Sequence, residues 1–100
     1  MKKLAVVAHP EDNVATAVQN LSKNEEVLVD VNGKELRIKL IDNIPFGHKF
    51  ALKEIEMGAN VVKYGEVIGR ATKSIKVGEH VHVHNIESLR GRGDWEGDVK

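Results

Sequence analysis

The chain has 100 residues, no cysteine, and 15 basic against 15 acidic side chains, so its formal net charge is zero. That balance removes the electrostatic argument for nucleic acid or a membrane surface as partner, and the lack of cysteine excludes a disulfide framework and thiolate chemistry while permitting a cytoplasmic location. With 41% apolar and 30% charged residues but only 4% aromatics, the sequence describes a small folded domain whose core rests on Val, Ile, Leu and Ala.

The chain opens "MKKLAVVAHP". The apolar run Leu4–Ala8 is shorter than the ~7–15 residues of a signal peptide's core, and it predicts a buried first strand. No segment approaches the ~18 apolar residues of a membrane helix. "HPEDNVATAVQNL" predicts one short helix, with Asp12 or Asn13 as its cap and Val14, Ala17, Val18 and Leu21 at helical spacing. From Glu25 the pattern turns to β. Val27, Val29 and Val31 alternate before Asn32-Gly33, and Leu36, Ile38 and Leu40 alternate after it, which predicts a hairpin.

In "IPFGHKFAL", Pro45 and Gly47 predict a turn that presents His48 and Lys49 between two buried phenylalanines, Phe46 and Phe50. A cationic, hydrogen-bonding pair in a rigid turn suits an anionic ligand or acid–base work. The segments "VVKYGEVIGRAT" and "EHVHVHNIE" predict further strands, with Tyr64 half-buried in the first. A short motif recurs. Ile55, Gly58 and Val61 share their spacing with Ile75, Gly78 and Val81, and with Leu21, Asn24 and Val27. Gly and Asn are the residues that most readily take positive φ, so the motif predicts an apolar anchor, a tight turn, and a strand entering with Val inward. The domain is expected to span 1–88, with 89–100 as a glycine-rich flexible tail.

His80, His82 and His84 alternate, so a continuous strand would place them on one outward face with Val81 and Val83 toward the core. Next-but-one residues on a strand lie roughly 6.6–6.8 Å apart and the outer pair about 13 Å. Two imidazoles can then share an ion, His82 with His84 or His80 with His82, and a third cannot easily join them. The alternative is a plain solvated strand.

Taken in order, "HPEDNVATAV", "IPFGHKFALKEIEMGANVVKYGEVIGRAT" and "GEHVHVHN" resemble the small SAF-type domain of the altronate and galactarate dehydratase family, which also includes the sulfolactate sulfo-lyase small subunit. Similar SAF domains occur in sialic acid synthases, type III antifreeze proteins and flagellar P-ring chaperones. The resemblance implies a mainly β fold of the β-clip type in a single compact domain. It implies a small cytoplasmic subunit of a hydro-lyase that removes a proton next to a carboxylate and expels the neighbouring hydroxyl. Such a chain works only with a large dehydratase subunit, on a sugar-acid substrate, in a family associated with ferrous iron (Fe2+). His48 and Lys49 are then the expected catalytic pair, His9, Asp12, Asn13 and Tyr64 the substrate-binding set, and His82 and His84 the metal ligands, although the iron site can equally lie in the large subunit. The competing readings are a free-standing module that binds a sugar acid or metal without catalysis, and an assembly domain; a homo-oligomer is compatible with each.

Overall fold

The computed structural model describes residues 4–88, and the predicted tail at 89–100 lies outside them. Among the described residues, nine short strands run in chain order: β1 (Ala5–Val6), β2 (Val14–Ala17), β3 (Glu26–Val31), β4 (Lys34–Lys39), β5 (Lys49–Ala51), β6 (Asn60–Lys63), β7 (Glu66–Ala71), β8 (His80–Val81) and β9 (Ile86–Ser88). They form a four-stranded sheet ordered β1-β2-β5-β8, the hairpin β3-β4, and a three-stranded sheet ordered β6-β7-β9. All the pairings are antiparallel. No described helix is long and apolar enough to cross a membrane.

The motif read three times in the sequence occurs four times in the fold. Residues 44–50 supply the further copy, with Ile44, Gly47 and Phe50 in the three key places. The turn residues Asn24, Gly47, Gly58 and Gly78 all have positive φ, between 76° and 89°. In each copy the next amide, of Glu25, His48, Ala59 or Glu79, donates to the carbonyl three residues back. The anchors pair as bridges, Leu21 with Ile44 and Ile55 with Ile75, and anchors and entering residues are all buried. Two apolar clusters result. One gathers Leu21, Val27, Leu40, Ile44 and Phe50, and the other Val14, Ala51, Ile55, Val61, Ile75 and Val81. Burying a side chain such as Phe50 stabilises the fold by roughly 1.5–3 kcal/mol.

The Asn32-Gly33 hairpin forms as the sequence predicts, both residues taking positive φ and Val31 facing Lys34. The predicted helix does not form. Residues 14–17 are a strand, paired on one side with β1 and on the other with β5. Val14, Ala15 and Ala17 are buried there, and three apolar residues in a four-residue strand inside a sheet carry no period that separates helix from strand. Leu4–Ala8 shrinks to a two-residue edge strand with Val6 exposed.

Candidate functional site

The pairing of β5 with β8 builds the site. Lys49 faces Val81 and Phe50 faces His80, so the register continued by one residue sets His48 opposite His82. The three imidazoles stack, with ring centroids 5.1 Å apart for His48 and His80, 4.2 Å for His48 and His82, and 5.5 Å for His80 and His82. His48 Nδ1 lies 2.8 Å from His80 Nε2, and one ligand nitrogen from each ring falls within 4.8 Å of the others. His48 occupies the repeat position at which Glu25 and Glu79 turn back to accept from the amides of Ser22 and Lys76. In this copy the residue three back is Pro45, which has no N–H to be capped, so the His48 ring is free for the cluster.

The strand bearing the other histidines is not continuous. β8 ends at Val81, and residues 82–85 turn. Asn85, wholly buried, causes the break: its Oδ1 accepts from His82 N at 2.9 Å and its Nδ2 donates to His80 O at 2.8 Å. The turn brings His82 to the cluster and carries Val83, expected in the core, out to 80% exposure. It also leaves His84 exposed, its ring tilted against His80 at 5.2 Å and outside the three-nitrogen cluster. Replacing Asn85 with alanine leaves buried backbone groups unpaired, at a cost of about 1–3 kcal/mol. The expected result is a lower urea midpoint and His82 imidazole signals shifted toward their random-coil positions by NMR.

Burial, reinforced by His48, His84 and His82, lowers the His80 pKa below the usual 6.5, against an opposing pull from Asp42. That carboxylate also accepts from His80 N at 3.0 Å. Burial lowers His82 as well, helped by His48, Lys49 and His84. Lys49 is half-buried in β5, and burial together with Lys63 pulls it below its usual range. An open cleft of about 320 Å³ adjoins the cluster, lined by Lys49, Lys63, Tyr64 and His82 among others.

The remaining predicted residues meet around the β6–β7 hairpin, from which Lys63 and Tyr64 line that cleft. Tyr64 is not a strand residue; with Gly65 it forms the β6–β7 turn at φ 59°, and its side chain is exposed. Such a φ is uncommon for a bulky residue. Asp12 holds it there, its buried carboxylate accepting from the amides of His9, Tyr64 and Gly65 at 3.1, 3.1 and 2.9 Å. Asn13 Oδ1 accepts from Val62 N and its Nδ2 donates to Asn60 O, while the His9 ring packs under Gly65. His9, Asp12 and Asn13 thus clamp the hairpin that carries Lys63 and Tyr64. Phe46, predicted to be buried, is 67% exposed beside the histidine turn, since the anchor of that repeat is Ile44. Lys63 had no distinguishing mark in the sequence.

A profile of the altronate/galactarate dehydratase SAF domain matches residues 3–89. The chain is 48% identical over 80 residues to altronate dehydratase of Escherichia coli (strain K12), which covers 80% of this chain and 15% of that protein. It is 40% identical over 63 residues to (2R)-sulfolactate sulfo-lyase subunit alpha of Paracoccus pantotrophus, covering 63% of this chain and 94% of that subunit. The corresponding subunit of Chromohalobacter salexigens is 44% identical over 57 residues, 57% of this chain and 61% of that subunit. The chain therefore spans about 15% of the length of the altronate dehydratases it matches, and most of a sulfo-lyase alpha subunit.

Proposed function

The chain belongs to the altronate/galactarate dehydratase SAF-domain family, and from that premise we propose that it is the small subunit of a hydro-lyase for a sugar acid or related hydroxy acid. The observation that carries this reading is the cluster of His48, His80 and His82 on the edge of an open cleft that also holds Lys49. Elimination of water from a hydroxy acid needs a proton acceptor, stabilisation of enolate-like charge, and a donor to the departing hydroxyl. One rim of this domain offers such groups, but an open cleft cannot exclude water from a sugar acid. A large partner is the second wall. The similarity to a sulfo-lyase subunit alpha, nearly all of it covered by this domain, supports a separate small chain in that role.

The donor set fits a divalent transition metal. Three imidazole nitrogens lie close together, two of them on rings whose burial favours the neutral, ligating form. His48, His80 and His82 would hold the ion, ferrous iron in our reading, which when bound supplies Lewis-acid stabilisation of the negative charge. His82 is the cluster member that lines the cleft, so an ion held by the cluster would border whatever is seated there. Lys49, adjacent in sequence to His48 and on the same cleft, neutralises the carboxylate as charge develops on it. In the metal-free chain the 2.8 Å contact between His48 Nδ1 and His80 Nε2 holds the two rings in place, and a proton lying between them would have to leave when an ion binds there.

The test is co-expression of this chain with a large dehydratase-type subunit, followed by assay on aldonates, aldarates and sulfolactate with ferrous iron. We expect a stable complex, and turnover that requires both chains. A chain that associates with no such subunit, yet binds sugar acids alone, would overturn the hydro-lyase reading in favour of a binding module.

A further inference from the structure

The catalytic reading uses Lys49 and the histidines but leaves Lys63 without a role, although Lys63 lines the same cleft. Lys63 ends β6, and its Nζ lies 4.9 Å from the centroid of the Tyr64 ring, a cation–π contact that restricts an otherwise mobile chain. Tyr64 is itself fixed through its backbone by the Asp12 carboxylate. Glu66 stands opposite Lys63 in the hairpin register. Lys49, half-buried in β5, lines the same cleft. Two like charges directed into one cleft, one of them partly desolvated, repel each other until an anion sits between them.

We propose that Lys49 and Lys63, with Tyr64 bracing the latter, form an oxyanion subsite that receives the carboxylate or sulfonate of a small hydroxy acid. Its identity as the substrate's head group rests on the hydro-lyase reading. The subsite sets the direction of binding. His82 lines the same cleft, so an acid whose head group bridges the lysines turns its neighbouring carbon toward the His82 imidazole. Lys63 is on this account a positioning and specificity residue, which favours acids over the corresponding neutral polyols.

The full chain, labelled at lysine Cε, is titrated by NMR with glycerate, with inorganic sulfate, and with glycerol as the neutral control. Saturable shifts at Lys49 and Lys63 are expected with both anions, in the millimolar range, and none with glycerol. Lys63→Met is expected to weaken anion binding about fivefold, in line with loss of a partly exposed charge contact, whereas Lys53→Met, on the exposed loop after β5, leaves it unchanged. A folded chain with no saturable shift at either lysine would overturn the subsite, as would a Lys63→Met variant that binds like the wild type. In the assembled enzyme Lys63→Met raises KM for the acid while kcat is largely kept; a fall in kcat at constant KM contradicts the positioning role. An assembly without turnover whose small chain still binds both anions would sink the hydro-lyase reading and leave the subsite standing.

Discussion

Replacing His82 with alanine is expected to lower kcat/KM of the assembled enzyme by about 100-fold or more, the scale on which a positioned acid–base or ligating group acts. In the isolated chain the same change is expected to abolish saturable binding of a divalent transition metal, read by calorimetry with Zn2+ or anaerobic Fe2+. The contrast lies with His84. Strand spacing paired it with His82 as a ligand, but the turn at 82–85 leaves it exposed and outside the nitrogen cluster. His84→Ala should therefore change metal affinity and activity less than about threefold, while His48→Ala follows His82→Ala. Equal losses for His82→Ala and His84→Ala would return the site to the pair read from the sequence.

The pH behaviour of the metal-free chain follows from the same cluster. His80 and His82 have folded pKa values below 6.5, from burial first and then from neighbouring rings, with Lys49 also acting on His82. In the unfolded chain these residues bind protons more readily, so stability is fully present above pH 6.5 and is lost as pH falls through that value toward the folded pKa. Urea midpoints measured from pH 8 to pH 5 should decline in that window, and His80→Gln should flatten the decline. Lys49→Met removes a positive charge near His82, so the His82 titration should move upward.

Several features were readable because they depend on local chemistry. Asn32-Gly33 demands positive φ at both residues and formed its hairpin, and the spacing of Leu21, Asn24 and Val27 marked a turn that recurs. The copy at 44–50 is masked in the sequence because Phe50 stands where the other copies have Val, although its Gly47 has φ 84° like the rest. The helix failed for a different reason. Val14, Ala17, Val18 and Leu21 match a helical stripe, yet β2 gains its neighbours from β1 and β5, and pairing on both sides outweighs a four-residue pattern. Asp12 and Asn13 had the right chemistry for capping and spend it on residues about 50 positions away.

The site followed the same division. His48, His80 and His82 were visible as residues, but their meeting depends on the β5–β8 register and on Asn85 ending the strand, both tertiary facts. Three imidazoles on one straight strand cannot easily converge. They converge here because His48 comes from the turn leading into the neighbouring β5 and His82 from beyond the break in the strand.

Gly78→Ala is expected to be the most damaging single-methyl change in the domain. Gly78 has φ 82°, and a Cβ built there would overlap Lys39 O and stand 3.1 Å from Lys39 C and 3.2 Å from Leu40 Cα. All three are backbone atoms, so no side-chain rotation relieves the overlap. Retreat is blocked on both sides, because Gly78 N donates to Ala51 O and Gly78 O accepts from Ile41 N. The left-handed backbone alone costs an alanine about 1–2 kcal/mol, and overpacking against fixed atoms adds roughly 1–3 kcal/mol. The sum is a large share of the ~5–15 kcal/mol that holds a domain of this kind together. Gly58 is the internal control. It fills the same place in its own repeat at φ 89°, with nothing within 4 Å of an added Cβ. Gly58→Ala should lose only the conformational part, and Gly58→Asn less still, since Asn24 already occupies the equivalent place at φ 76°. The measurement is the urea midpoint of each variant. Equal midpoints for Gly78→Ala and Gly58→Ala would mean that the close approach to Lys39 is not part of the fold. A collapse confined to Gly78→Ala would show that the turn two residues before His80 is locked against β4, and that this contact aims β8, and with it the histidine cluster, at the cleft.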